Sequence, residues 1–488
     1  MLACPKTRRR ARLATLTLIT VLTTALVSGC SSDSGDNTTG PVHVVVGYQS
    51  KTINTVTAGT LLRSLGYFER RLAELGTRTG RTYQVDWQDY SAGAPITAQM
   101  LAQKIDIGSM GDYPLLINGS RAARSDDSRT SMISVTGYNQ LGALNMIVAR
   151  PDSPVTTLAD LRGKPVSTSV GSAAHGTLVQ ALRRAGLTQT DVSIQNQEPA
   201  VGASALSSGA VAGLAQFVAW PGQLVFQNQA KLIYDGSDLG VPTLHGVVIR
   251  DAFKNAHPDI VQAFLHAQLG ATNYLRAHPL EAAQNVSAAT GLPAEVVYLY
   301  NGANGMVSFD PTIKPAFRQA LKADTGFLSS IGNIGPLDVD RFVDEGPLRQ
   351  AFGPGYDAAV ANTANPTPIT GTDTTCGLSV SDQHTAGELW LAGEPATHPS
   401  ATPSCLLRAA AAATSGGKRV RAAYVNDTAT GTRWFADRSW WLRDPNAAAT
   451  ARYLPFTTQS GATAYAGGHP GLSPISYQAA LTEAGARP

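Results

Sequence analysis

Residues 165–185 read PVSTSVGSAAHGTLVQALRRA. Residues 165–168 form a short strand, and residues 172–185 form a helix that opens at the Gly171-Ser172-Ala173 corner. Strand, tight corner and helix in that order are the building unit of a sheet covered by helices. Ser172 is a natural N-cap, and Gly171 lets the backbone come close to a ligand. The unpaired N–H groups and the dipole at such a helix start favour an anion by up to about 2 kcal/mol in a partly buried geometry.

The same alternation runs outward from this stretch. Upstream come a strand over 42–48, a helix over 60–75, a strand over 83–87, a helix over 94–104 and a strand over 105–108. Leu61, Leu62, Leu65, Phe68, Leu72 and Leu75 keep helical spacing. A second series has a strand over 144–149, a short helix over 158–161, the 165–185 unit, a strand over 192–194 and a helix over 201–208. Two such lobes in series make a cleft, and ligands bind outside the carboxyl ends of the strands.

Several segments together carry a resemblance. They are Val85-Asp86-Trp87, Ser91-Ala92-Gly93, Ile105-Asp106-Ile107-Gly108 and Gly111-Asp112-Tyr113-Pro114. Leu161-Arg162-Gly163-Lys164-Pro165-Val166, Gly171-Ser172-Ala173-Ala174-His175, Gly209-Ala210-Val211-Ala212 and Trp220-Pro221 follow in the same order. The pattern resembles the solute-binding proteins of nitrate, sulfonate and taurine ABC importers, a superfamily that includes binders of the thiamine pyrimidine precursor. The resemblance implies an α/β, two-lobed, type II periplasmic-binding-protein-like domain over 42–345, with lobe 1 at 42–137 and 245–345 and lobe 2 at 138–244. It implies hinges near 136–138 and 234–244, and a small polar or anionic solute passed to an importer permease.

The residues placed at the cleft on that basis are Gln49, Ser50, Gly111, Asp112, Tyr113, Tyr138, Gly171, Ser172, Ala173, His175 and Trp220. Each has a second reading. Ser172 is either a cap alone or a cap that also meets the ligand. His175 is either solvated or a contact. Asp112 caps the helix starting at Pro114 or faces the solute, where a carboxylate would disfavour a bare anion and suit a zwitterion. Trp220 is either core or a cover over an apolar substituent.

The N-terminus carries Lys6, Arg8, Arg9, Arg10 and Arg12, then an uncharged apolar run to Val27 and Ser28-Gly29-Cys30. A basic region, an apolar region and small residues before a cleavage point form a secretory signal. The small residues before Cys30 resemble a bacterial lipobox, which implies a signal peptide over 1–29, lipid on Cys30 and membrane attachment through its acyl chains. Residues 30–41 read as a flexible polar tether.

The chain has 488 residues, 43% hydrophobic and 15% charged, which suits two or three domains. The net charge of +3 includes the basic leader, so the rest is near neutral or slightly acidic, and no nucleic-acid surface is expected. No Ser-His-Asp set, nucleotide-phosphate loop or paired-carboxylate motif stands out, and a binding protein rather than an enzyme is expected.

Residues 346–372 read as a linker from their Gly, Pro, Thr and Asn content. From Cys376 the composition changes. Cys376-Gly377-Leu378, Glu388-Leu389-Trp390-Leu391, Pro403-Ser404-Cys405 and Asp437-Arg438-Ser439-Trp440-Trp441-Leu442 resemble NosL-type copper-delivery lipoproteins. That resemblance implies a small α+β domain of two ββα-like halves over 373–488. Leu378 stands where that family has methionine, and no methionine follows Met306. Cys376 and Cys405 therefore form either a disulfide or a copper(I) site with His384, His398 or His469. No other cofactor is expected.

Overall fold

The computed structural model describes residues 40–332 and 334–486. The leader, Cys30 and the tether up to residue 39 lie outside the described residues.

The chain lays down β1 (Val42–Tyr48), β2 (Tyr83–Asp89), β3 (Ile107–Gly111) and β4 (Thr130–Asn139). It then crosses to build β5 (Asn145–Ala149), β6 (Pro165–Thr168), β7 (Ser193–Asn196), β8 (Gly213–Phe217) and β9 (Lys231–Tyr234). It returns with β10 (Thr243–Arg250) and β11 (Ser308–Phe309). The first sheet has the order β2-β1-β3-β10-β4-β11 and the second β7-β6-β8-β5-β9. Each has a parallel trio, joined to an antiparallel strand that lies next to a crossing: β10 beside β3, and β5 beside β8. Two crossings, 140–144 and 235–242, connect the lobes.

Helices cover the sheets because their apolar stripes match. The helix expected over 60–75 is two helices, Thr60–Ser64 and Tyr67–Thr79, divided at Gly66, whose φ of 62° ends the first. Phe68, Leu72 and Leu75 of the second are buried, and Phe68 meets Phe264 of helix Pro258–Ala277 edge-on at 5.3 Å.

The linker expected over 346–372 is much shorter. Residues 346–361 form helices Gly346–Phe352 and Tyr356–Ala361, and Leu348 and Tyr356 enter the core of the first lobe. The residues read as linker there are helix punctuation: Pro347 sits in a first turn, where its missing N–H costs nothing, and Gly353, at φ 80°, ends that helix. The irregular connection is residues 362–371.

The C-terminal region opens with the short pair β12 (Thr372–Asp373) and β13 (Leu378–Ser379). It then repeats one unit twice. The first is β14 (Gly387–Leu391), β15 (His398–Ser400), helix Pro403–Ser415 and β16 (Val420–Asn426), extended by β17 (Arg433–Phe435). The second is β18 (Trp440–Arg443), β19 (Tyr453–Phe456), helix Gln459–Gly468 and β20 (Ser473–Ile475), and helix Tyr477–Gly485 closes the chain. In both units the first strand is central and both neighbours are antiparallel to it. Thr402 and Thr458 cap the equivalent helices, their hydroxyls accepting from Cys405 N at 3.2 Å and Gly461 N at 3.1 Å. Among the described residues no helix is long and apolar enough to cross a membrane.

Candidate functional site

The carboxyl ends of β1, β2 and β3 face those of β6, β7 and β8, and the lobes touch along this line. Ala219 N donates to Lys51 O at 3.4 Å, and Lys51 Nζ stands 5.9 Å from the Trp220 ring centre. Ser91 Oγ donates to Glu198 Oε2 at 2.6 Å. Ala92 of lobe 1 packs with Ala174, Phe217 and Trp220 of lobe 2. Trp220 is thus partly buried at the seam between the lobes.

The corner at 171–175 has the local structure its residues dictate. Gly171 takes φ 86°, and helix Ala173–Arg184 starts behind it. Ser172 Oγ accepts from His175 N at 3.3 Å, so the cap exists whatever else the hydroxyl meets. The N–H groups of Ala173 and Ala174 precede the first intrahelical bond. His175 is buried rather than solvated. Burial holds its imidazole below its ordinary value, and Nδ1 accepts from Gly171 N at 3.4 Å, which leaves the ring proton on Nε2.

On the facing lobe, Asp112 neither caps a helix at Pro114 nor offers a free oxygen. The helix starts at Asp112 itself (Asp112–Ala122). The carboxylate accepts from Tyr113 N at 2.8 Å and from Leu244 N of β10 at 3.1 Å. Burial raises Asp112 to about 6. Gln180 of lobe 2 donates to Tyr113 Oη at 3.1 Å, and the Tyr113 hydroxyl also bonds the buried Asp324. Gly111 faces His245, whose Nδ1 lies 2.6 Å from Asn54 Nδ2; burial lowers His245 to about 3, so it is neutral.

Two expected contacts are spent elsewhere. Ser50 N and Oγ both donate to Asp89, at 2.8 and 2.6 Å. Tyr138 lies in the core 4.5 Å from the Phe317 ring, and burial raises its hydroxyl to about 12. Gln49 is buried, donating to Ser109 O at 3.2 Å and accepting from Thr52 Oγ1. Of the expected residues, Tyr113, Gly171, Ala174 and Trp220 contact the opposite lobe, whereas the bonds of Gln49 and Asp112 and the packing of Tyr138 lie within lobe 1.

Buried polar atoms without a partner occur on both sides. Asn54 Oδ1 and Ser109 Oγ belong to lobe 1; the Asn145 amide, Thr168 Oγ1 and Gln216 Oε1 belong to lobe 2. Ser109, Thr168 and Gln216 lie at or near the carboxyl ends of β3, β6 and β8. Polar atoms buried without partners are costly, and those at the seam have bonding capacity that a polar guest or a water would use, although similar atoms also occur elsewhere, in Arg433 and Trp434 for example.

Residues 129–282 match the family described as NMT1/THI5 like. The chain is 26% identical over 304 residues to an aliphatic sulfonates-binding protein of Escherichia coli (strain K12), covering 62% of this chain and 87% of that one. It is 34% identical over 143 residues to a thiamine biosynthesis protein of Haemophilus influenzae, covering 29% of this chain and 45% of that one. In structure it is similar to the alkanesulfonate-binding protein of Xanthomonas axonopodis pv. citri bound to MOPS. The TM-score is 0.52 at 22% identity, over 62% of this chain and 98% of the other. The fold is that of the two-lobed periplasmic solute-binding proteins.

Within this solute-binding fold, sequence reasoning missed Lys51, Asp89, Glu198, Gln180 and Asp324. Ser91 follows β2, but its partner Glu198 is over a hundred positions away, and nothing local in the sequence links them. Cys376 and Cys405 are joined in a disulfide. Asp373 beside them accepts from Thr375 N, Cys376 N and Ala401 N. In this oxidised form the trio has no thiolate to offer a soft metal ion.

Proposed function

We propose that the protein captures a small organic solute bearing a sulfonate or similar oxyanion between its lobes and hands it to an ABC importer permease. The observation that carries this reading is the seam itself. The Ser172-capped helix start of lobe 2 meets lobe 1 across buried, unpartnered hydroxyls and amides of both lobes. Asp89 and Glu198 stand at the same seam, a charge arrangement that disfavours bare nitrate and suits a solute that also carries a donor or a cation. The sulfonate-binding relatives support the oxyanion class. The reading includes lipid on Cys30, which holds the protein on the outer face of the membrane, and a C-terminal region of NosL type.

A second reading has its own support: the NMT1/THI5-like match and the thiamine biosynthesis relative favour a pyrimidine precursor of thiamine as solute. Thermal shift and calorimetry with taurine, alkanesulfonates, nitrate, bicarbonate and thiamine pyrimidines separate these. A solute at about 100 times its Kd stabilises the folded chain by about 2.7 kcal/mol. A shift with sulfonates alone supports the first reading, a shift with pyrimidines alone the second, and no shift with any of them sinks both.

A further inference from the structure

The C-terminal region is seated on both lobes and on one of the crossings between them. On the lobe 1 side it meets helix Ala294–Asn301. Tyr298 Oη donates to Glu388 at 3.0 and 3.1 Å, Arg421 Nε to Glu295 Oε1 at 2.7 Å, and Tyr424 Oη to Glu295 O at 2.9 Å. On the lobe 2 side Phe435 meets Phe226 at 5.2 Å between ring centres.

Its third contact is with residues 235–237, the start of the crossing from β9 to β10. Thr430 Oγ1 donates to Asp235 Oδ2 at 3.1 Å, Thr457 Oγ1 lies between Asp235 Oδ2 at 3.1 Å and Asp427 Oδ2 at 3.0 Å and shares its proton with them, and Thr432 Oγ1 lies 2.5 Å from Ser237 Oγ. The two crossings also touch each other there. A Cβ on Gly236 would fall 2.3 Å from Gly142 O and 2.1 Å from Asn145 O. Lobe opening needs a few residues at the crossings to change φ and ψ. Here those residues are held by three hydroxyls of a body that is itself anchored on lobe 1. Trp390, Tyr424, Trp434 and Phe435 join the hydrophobic cluster that runs through both lobes, so the anchor is apolar as well as polar.

We propose that the C-terminal region is a hinge strap: gripping residues 235–237 while seated on helix Ala294–Asn301, it holds the lobes together and sets how readily the cleft opens. Opening then requires the hydroxyl contacts to break or the strap to shift on helix Ala294–Asn301. The proposal deepens the solute-binding reading in its use of lobe opening, but it does not depend on which solute is bound.

The test is hydrogen exchange with mass spectrometry on the full chain without ligand. Thr430→Ala with Thr432→Ala removes two of the hydroxyls at the crossing. Amides in 109–113 and 169–176 at the seam are expected to exchange about tenfold faster, the change that two lost hydrogen bonds allow. Amides in β1 and β2, far from the crossing, keep their native rates, and Thr430→Ser with Thr432→Ser restores the seam. Unchanged seam amides in the alanine pair overturn the strap, as does a rise spread equally over β1 and β2. If the alanine pair does not fold, Tyr298→Phe loosens the other anchor by removing only one hydroxyl, and the same segments decide in the same way. Adding taurine to the native chain is a separate arm: no protection at the seam counts against a sulfonate solute while leaving the strap result standing.

Discussion

The ring of Tyr113 lies directly on Gly176: a Cβ built on that glycine would fall 1.9 Å from Tyr113 Cε2 and 2.5 Å from Oη. One lobe thus inserts an aromatic side chain against the bare backbone of the other lobe's helix. Gly176→Ala leaves its own helix intact and forces the ring away. Overpacking of this kind costs about 1–3 kcal/mol. The cost falls on the closed arrangement, so solute affinity should drop by about one to two powers of ten while the melting temperature changes little. Calorimetry beside differential scanning calorimetry checks this. Native affinity in the variant would show that the Tyr113–Gly176 contact plays no part in closure.

Behind Tyr113, Asp112 and Asp324 are buried and electrostatically coupled. Burial is the main cause that raises both, and for Asp324 the charge of Asp112 adds to it. A carboxyl group raised in the folded state binds its proton more tightly there than in the unfolded chain. Its stabilising effect is complete below the unfolded value and is lost as pH rises through the folded one. For Asp112 that loss sets in above the ordinary carboxylate range and is complete as pH rises past about 6, and Asp324, raised well above the ordinary range, loses its contribution in the same direction. Asp324→Asn keeps an acceptor for the Tyr113 hydroxyl and removes the charge. The variant should match the native protein at pH about 4 and melt several degrees higher at pH about 8. Melting curves across that range decide it; equal melting at both ends would mean that the pair carries no buried charge.

The fold was legible because its period is local. The strand and helix of residues 165–185 are set by neighbours in sequence, and so are the corner at Gly171 and the cap at Ser172. The limits appear where distant residues decide. Gly66 splits a helix that the apolar spacing of 60–75 reads as continuous, because a left-handed glycine leaves that spacing unchanged. Pro347 and Gly353 read as linker residues until tertiary packing of Leu348 and Tyr356 turns them into helix ends. Ser50 looks like a ligand donor after β1, yet Asp89 of the neighbouring strand takes both its donors. Pairings of this sort depend on strand register, which one sequence does not display.

The Cys376–Cys405 disulfide ties the loop between β12 and β13 to the first turn of helix Pro403–Ser415, across a separation of 29 residues. Closing a loop of that size stabilises by about 3–4 kcal/mol in the chain-entropy account. Reduction should therefore lower the melting of the C-terminal region and leave solute affinity at the seam within about threefold. A copper(I) titration read by competition with a chromophoric chelator distinguishes the two readings of these cysteines. The oxidised chain should take up none. Uptake of one equivalent by the oxidised chain would show that copper is held by groups other than these sulfurs.

Glu388 and Arg433 form an ion pair at 2.6 Å with both side chains almost completely buried. Tyr298 of helix Ala294–Asn301 donates to the same carboxylate, and among the described residues Arg433 Nε and Nη1 have no hydrogen-bond partner. The arginine stands 4.8 Å from the ring centre of Tyr424 and 5.9 Å from that of Tyr298, so its charge is stabilised by one carboxylate and two aromatic faces. Glu388→Ala leaves that guanidinium buried and uncompensated, and breaking a pair in this way costs about 3–5 kcal/mol. Replacing both partners together, Glu388→Leu with Arg433→Met, removes both desolvation penalties and should recover most of the loss. Because Tyr298 and Thr397, which both donate to Glu388, then keep only each other as partners, recovery should be incomplete by about 1 kcal/mol. Adding Tyr298→Phe to the double variant should return part of that remainder, Thr397 still lacking its acceptor. Denaturant melts of the three variants test the series, and a single Glu388→Ala variant as stable as the native chain would show that this buried pair does not hold the C-terminal region to its neighbour.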